Sequence, residues 1–245
     1  MIDQDGKNLY KYDHKSTDLN RVDLTHLKAY TIDDLSTIEI DDAISIEKID
    51  KEFCIWIHIA DPASVIPCDA YLDKQALSKG SSSYLVDELI PMLPIEFTEK
   101  VINLRSKKTS RAISVGVFLN GEGSISSYRI LKSWINVHYR LSYDDADELI
   151  DLEPKEDPDL ALLNKLSLQR RRWREENGAL FLEQPQGKLY FDNGKLELKI
   201  IDQTPSRRLV SELMILMGSV VALFGSQNKL PLPYRSQENY NIDKI

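Results

Sequence analysis

The chain of 245 residues contains two cysteines, Cys54 and Cys68. That number and spacing support no disulfide framework, and no Cys or His partners recur at the intervals of a zinc site. Both thiols are expected to be buried and inert. Basic residues are short as well: 31 Lys and Arg stand against 39 Asp and Glu, a formal charge of −8. A field of that sign does not wrap a polyanion. Contact with nucleic acid would be confined to a basic strip, or to a metal ion that reverses the sign of an acidic site. No apolar run reads as long enough to span a bilayer, and the first thirty residues have no signal-like apolar centre, so the expected location is cytoplasmic.

Carboxylate is in excess, and it is concentrated. Thr31 to Ala43 reads TIDDLSTIEIDDA, with Asp33, Asp34, Glu39, Asp41 and Asp42 threaded between Ile32, Ile38 and Ile40. A strand ending near Ile32 and another starting near Ala43 would bring Asp41 and Asp42 back towards Asp33, so that three or four carboxylates could meet. Hard oxygen ligands of this kind suit Mg²⁺ or Mn²⁺. Metal-assisted phosphodiester hydrolysis needs such a centre. The ordinary alternative is an acidic loop in water, against which the interleaved isoleucines argue. EF-hand spacing is not present.

Around this stretch the pattern predicts a mixed order of strands and helices. Residues 1–27 are polar and aperiodic, a lead-in arm ahead of one domain over 28–245. Strands are expected at Lys28–Ile32, Ala43–Ile49 and Phe53–Ala60, the last apolar on both faces and therefore central. A helix over Ala70–Lys79 would be capped by Asp69 and closed by Gly80. A short helix follows at Glu96–Asn103, then a hairpin of Arg111–Leu119 and Ser124–Asn136 around Asn120-Gly121-Glu122-Gly123. Helices at Ser142–Asp151 and Asp159–Asn177 precede a second hairpin around Asp192-Asn193-Gly194, read as a type I′ turn. Ser206–Ser226 reads as a helix apolar on most sides, hence buried. The fold class is α+β, a mixed and largely antiparallel sheet with packed helices.

Several motifs in order resemble one known family. TIDDLSTIEIDDAIS is followed by HIADP, YLVDELIPMLP, GAL at 178–180, SRRLVSELMIL at 206–216 and PLPYRSQ. Together they resemble the RNB catalytic domain of the RNase II family of 3′-to-5′ exoribonucleases, over roughly Tyr30 to Gln237. The resemblance implies metal-binding and catalytic roles for Asp33, Asp41 and Asp42. Glu39 stands where many members have a fourth aspartate, with a methylene more. It further implies hydrolysis of single-stranded RNA to nucleoside 5′-monophosphates, with no membrane partner and no DNA substrate. Tyr84 matches a tyrosine that packs against the 3′-terminal nucleotide, as a loop tyrosine physically could; a half-buried core tyrosine is the other reading. Glu212 matches a glutamate near the end of the RNA path, against a plain helix-surface acid. Phe181 lies near the aromatic that follows the GAL-like motif.

Three further features stay open. His58 shares a strand face with Trp56 and reads first as a hydrogen-bonded structural histidine, second as catalytic. Asp61 is expected to cap or orient its loop close to substrate. Arg170, Arg171, Arg172 and Arg174 form a basic run, either a phosphate track or, more in keeping with surface charge, partners of Glu175, Glu176 and solvent. The family continues past PLPYRSQ to an arginine-bearing SPIRRYxDL-like segment and carries flanking cold-shock and S1 domains. This chain shows none of them, so it reads as the N-terminal two-thirds of the domain. It is expected to turn RNA over slowly, or to persist as a silent RNA- or protein-binding remnant.

Overall fold

The computed structural model describes residues 20–86, 88–106, 108–181, 186–192 and 195–235. Strands β1 (Val22–Asp23), β2 (Ala29–Ile32), β3 (Asp42–Ile49) and β4 (Glu52–Ala60) come first. Helix α1 (Tyr71–Lys79) and the small ladder β5 (Ser83–Tyr84) with β6 (Leu89–Ile90) follow. Next are α2 (Ile95–Phe97), a π-helical turn over Thr98–Ile102, and the long hairpin β7 (Thr109–Leu119) and β8 (Ile125–Leu141). Helices α3 (Tyr143–Leu152) and α4 (Asp159–Glu176), hairpin β9 (Gln186–Asp192) and β10 (Lys195–Ile201), and α5 (Pro205–Gln227) complete the order.

The sheet runs β1-β8-β2-β3-β4-β7, and β7 also pairs with β8. Strand β8 is 17 residues long: it bonds to β7 up to Asn136 and to β2 from Val137 onward. Strands β2, β3, β4, β7 and β8 therefore close on one another, which leaves no free edge within the ring. Most pairings are antiparallel; β1 and β2 run parallel to β8. The α+β class with a largely antiparallel sheet is thus observed, and β4 is central between β3 and β7 as its apolar run predicts.

Period-two alternation assigns the two faces. Ala29, Ala43, Cys54, Trp56 and Ala60 pack under α1, α2 and the π turn, with Leu72, Phe97 and Ile102. Tyr30, Ile32, Ile44, Ile55, Ile57 and Val115 turn the other way and meet Ala146, Leu160, Leu163, Leu209, Leu213, Leu216 and Val220 of α3, α4 and α5. Helix α3 starts where Ser142 accepts from the Asp145 amide while Asp145 receives the Ser142 amide, a reciprocal capping box. Asn120 holds the β7–β8 loop, its Oδ1 accepting from the amides of Glu122 and Ser124 at 3.0 and 2.9 Å.

Several expectations change. Asp69 does not cap α1: its φ is +63°, its amide donates to Asp73, and Ala70 precedes the helix without a side-chain cap. The helix expected at Glu96–Asn103 is one short turn that widens into a π turn and ends at Ile102. Cys54 is buried but Cys68 is exposed. Helix α5 buries one side only, leaving Ile215 and Leu223 exposed, because it covers the sheet as an outer layer. Contrary to the expectation of no bilayer-length apolar run, α5 is by length and composition apolar enough to cross a bilayer; here its buried side faces the core. Of the expected lead-in, residues 20–27 lie on the sheet: Leu24 and Leu27 are buried and the Leu24 amide donates to Trp134. Strands β9 and β10 pair from Asp192↔Lys195 outward, and the turn residues Asn193 and Gly194 lie outside the described residues.

Candidate active site

The acidic stretch leaves β2 at Ile32 and re-enters the sheet at Asp42 in β3, a neighbouring strand of opposite direction. Asp33 and Asp42 thus sit at adjoining strand ends, and register fixes both: the Asp33 amide donates to Leu141 at 3.1 Å and the Ala60 amide donates to Asp41 at 2.8 Å. Between them the loop is pinned from outside. Asn103, almost wholly buried, donates from Nδ2 to the Ile38 carbonyl at 2.7 Å and accepts the Ile40 amide at 2.9 Å. Arg140 donates to the Thr37 carbonyl at 2.9 Å. The isoleucines divide the labour: Ile40 and Ile44 are buried anchors, whereas Ile38 is exposed.

The carboxylates feel one another. Burial, then Asp33 and Asp41, push Asp42 up to about 7. Burial, then Asp41, raise Asp33 to about 6, against the pull of Arg140. Asp41 is open to solvent on one side; burial of the other, then Glu39, raises it too. Asp33 Oδ2 is buried without a hydrogen-bond partner. Among the described residues no three such side chains are gathered closely enough to enclose an ion as they stand. The donor chemistry nevertheless fits a hard divalent cation: carboxylate oxygens, one of them buried and orphaned, with mutual repulsion that a cation would relieve.

Other sequence-predicted residues fall at different distances from this centre. Tyr84 is exposed on β5 and its hydroxyl donates to Glu39 Oε2 at 2.9 Å, which places it beside the acidic loop. Asp61 is held by Arg21 Nη2 at 2.6 Å and accepts the Ser64 amide at 3.2 Å, so it caps the 3₁₀ turn Pro62–Ser64 as its loop-orienting reading anticipated. His58 is fully buried and held by Ser45 at 2.9 Å and Ser114 at 2.6 Å; burial lowers it to about 3, so it is a neutral structural group.

Glu212 is no helix-surface acid. It is 3% exposed and receives Arg174 Nη1 at 2.7 and 2.8 Å. Arg171 and Arg174 also lie over the Phe181 ring at 3.8 and 5.2 Å, and Arg170 is buried with Nη1 on the Gly123 carbonyl. Arg170, Arg171 and Arg174 are therefore directed inward across α4 and α5 rather than spent on Glu175 and Glu176, whereas Arg172 is exposed.

Sequence reasoning overlooked four residues at the rim. Tyr143, at the start of α3, is raised by burial first, with Arg207 opposing and Asp33, Asp42 and Asp34 adding. Arg207 lies 3.8 Å over the Tyr143 ring and donates to Asp34 at 3.0 Å; Lys188 donates to the other Asp34 oxygen at 3.0 Å. Arg140 completes the set. Each sits far along the chain from the acidic stretch, and only the paired arginines of SRRLVSEL hinted at one of them, Arg207.

This geometry joins a wider likeness. The family model for the RNB domain matches residues 21–245. The chain belongs to the RNB domain family. It is 38% identical over 232 residues to ribonuclease II, chloroplastic/mitochondrial, of Arabidopsis thaliana, which covers 92% of this chain and 29% of the relative. The structure of Mycoplasma genitalium RNase R in complex with ribose-methylated single-stranded RNA superposes with a TM-score of 0.83 at 23% identity, covering 90% of this chain and 36% of the other. That of yeast Ssd1, described as a pseudonuclease, superposes with a TM-score of 0.70 at 20% identity, over 87% of this chain and 27% of the other. The chain thus spans about a third of the length of these RNB proteins, and the two structural likenesses speak for the fold.

Proposed function

We propose that this RNB chain carries the acidic centre of a 3′-to-5′ exoribonuclease that hydrolyses single-stranded RNA to nucleoside 5′-monophosphates with Mg²⁺ or Mn²⁺. The observation that supports it most is the placement of Asp33 and Asp42 at adjoining ends of β2 and β3, with Asp41 beside them and Asp33 Oδ2 buried and orphaned. Asp33, Asp41 and Asp42 would hold the cation, with Glu39 on the outer side. When bound, such an ion activates water and neutralises the phosphate and the leaving oxygen. Water adds to phosphorus, the bond to the 3′ oxygen breaks, and that oxygen leaves with a proton as the new RNA 3′ end.

The chain's own groups do the rest. Burial, then the neighbouring carboxylates, raise Asp33 to about 6 and Asp42 to about 7 without a cation, so protons held there are released as one enters. Tyr84, exposed beside Glu39, offers a stacking surface to the terminal base. Glu212 and Asp61 belong to this reading as residues that shape the substrate path. The cytoplasmic location belongs to the same reading; the Arabidopsis relative is named chloroplastic/mitochondrial.

One observation favours a second reading, a silent RNA- or protein-binding remnant: among the described residues three donors are not gathered around a single point. A 5′-labelled single-stranded RNA incubated with the chain and Mg²⁺ separates the two. Stepwise shortening from the 3′ end, absent with Asp42→Asn and absent on the matching deoxyribo-oligonucleotide, supports the nuclease. Binding of intact RNA without shortening supports the remnant.

A further inference from the structure

Asp34 is gripped from two distant elements. Arg207 in the first turn of α5 donates from Nη2 to Asp34 Oδ1 at 3.0 Å, and Lys188 on β9 donates from Nζ to Asp34 Oδ2 at 3.0 Å. The two cations are thereby held apart by the spacing of two oxygens on one carbon. Two non-bridging oxygens on one phosphorus present nearly the same pair of acceptors to an Arg and a Lys.

The surroundings give this pair a purpose. Its neighbours Asp33, Asp41, Asp42 and Glu39 are all carboxyl groups, and the chain as a whole carries −8. A polyanion entering such a place is repelled unless cations stand at the rim. Arg140 donates to the Thr37 carbonyl and holds the loop. Arg207 and Lys188 spend their hydrogen bonds instead on a side chain that is 35% exposed. Arg207 keeps its place by a second contact, the Tyr143 ring at 3.8 Å, so its guanidinium stays oriented when Asp34 leaves. Lys188 is about half exposed, on a hairpin whose described side chains nearly all face solvent. Ion pairs open to solvent on one side contribute little to stability, so exchanging Asp34 for another anion costs little.

We propose that Lys188 and Arg207 form a binding site for a backbone phosphodiester of single-stranded RNA, which Asp34 occupies in the free chain and yields when RNA arrives. This rests on the RNA-directed reading above and goes further by naming the cations and the internal competitor. A purely structural latch, in which Asp34 merely ties the hairpin and α5 to the acidic loop, makes the opposite prediction for Asp34.

The test is the affinity of the full chain for a fluorescent single-stranded oligoribonucleotide in EDTA, across a KCl series, with thermal melts of each variant. Asp34→Asn is expected to tighten binding roughly 3- to 10-fold by removing the competitor. Lys188→Gln and Arg207→Gln are expected to weaken it by a similar factor, and each to flatten the slope of log affinity against log salt by about 0.7. Weaker or unchanged binding by Asp34→Asn overturns the proposal, as does an unaltered salt slope for Lys188→Gln. The latter variant lies on the exposed hairpin and is decisive even if Asp34→Asn melts early. Absence of RNA binding by the unaltered chain overturns the RNA-directed reading itself, a result distinct from either.

Discussion

Glu212 receives two hydrogen bonds from a single nitrogen of Arg174, at 2.7 and 2.8 Å, in a site where the glutamate is almost wholly buried. The pair joins α5 to α4, and Arg171 approaches the same carboxylate at 3.8 Å. Removing one partner strands the other. Arg174→Ala should lower stability by about 3 kcal/mol, because it leaves a buried carboxylate without the cation that hydrogen-bonds it, Arg171 standing farther off at 3.8 Å. In a domain of this size that corresponds to a fall in melting temperature of roughly 6–12 °C. Glu212→Gln, which keeps the shape and accepts from Arg174, should cost less than half as much. Urea titration of the three proteins checks the order.

Asn103 should matter more to the acidic centre than to the fold. Its amide bonds both Ile38 and Ile40, on either side of Glu39, and no other side chain in the described residues links the loop from that face in this way. Asn103→Ala leaves a buried amide and a carbonyl without their partners, a cost of about 1–3 kcal/mol. Cleavage of RNA should fall at least tenfold at a temperature where the variant is still folded. Asn103→Asp should restore the acceptor for Ile40 but not the donor for Ile38, and so recover little. Near-UV circular dichroism alongside the cleavage assay distinguishes a loosened loop from unfolding.

Tyr84 is exposed and bonded only at its tip, so its replacement should leave the melting temperature unchanged within about 1 °C. If it stacks on a base, Tyr84→Ala should weaken RNA binding by about 1–3 kcal/mol while Tyr84→Phe retains most of it. Equal affinity for all three proteins would remove Tyr84 from the substrate path.

Asp33 and Asp42 set a pH dependence of definite sign. Burial and neighbouring carboxylates raise them to about 6 and about 7, above the value near 4 that they have in an unfolded chain. Such a group favours the fold fully below its unfolded value, and that contribution is lost as pH rises through the folded one. In EDTA, Asp42→Asn should therefore become more stable than the unaltered chain by a margin that grows between about pH 4 and 7 and then levels off. Adding Mg²⁺ at pH 8 should close that margin by stabilising the unaltered chain selectively, by about 2.7 kcal/mol at a concentration a hundred times its dissociation constant. Scanning calorimetry with and without Mg²⁺ tests both halves.

Much of the fold was legible before any coordinates. The both-face apolar run Phe53 to Ala60 read as an interior strand, Asn120 and Gly123 marked a turn, and the Ser142–Asp145 pair is a local capping arrangement that the sequence places three residues apart. Failures arose where a neighbour outvoted local preference. Asp69 looked like a cap, yet its backbone entered the left-handed region and Asp73 took its amide. The arginine run looked like a solvated surface, but α5 brought the buried Glu212 to Arg174 across 38 positions.

What the sequence determined by itself is the chemistry available: five carboxylates within ten residues, Asp33 to Asp42 with one strand end at each side, since alternation and turn propensity act over a few residues. Which cations face them was decided only in three dimensions. Lys188 and Arg207 reach Asp34 over separations of 154 and 173 residues, by way of a hairpin and a helix start that the closed sheet and its outer helices bring together. Local propensity carries no information about such distances; packing of the two hydrophobic layers does.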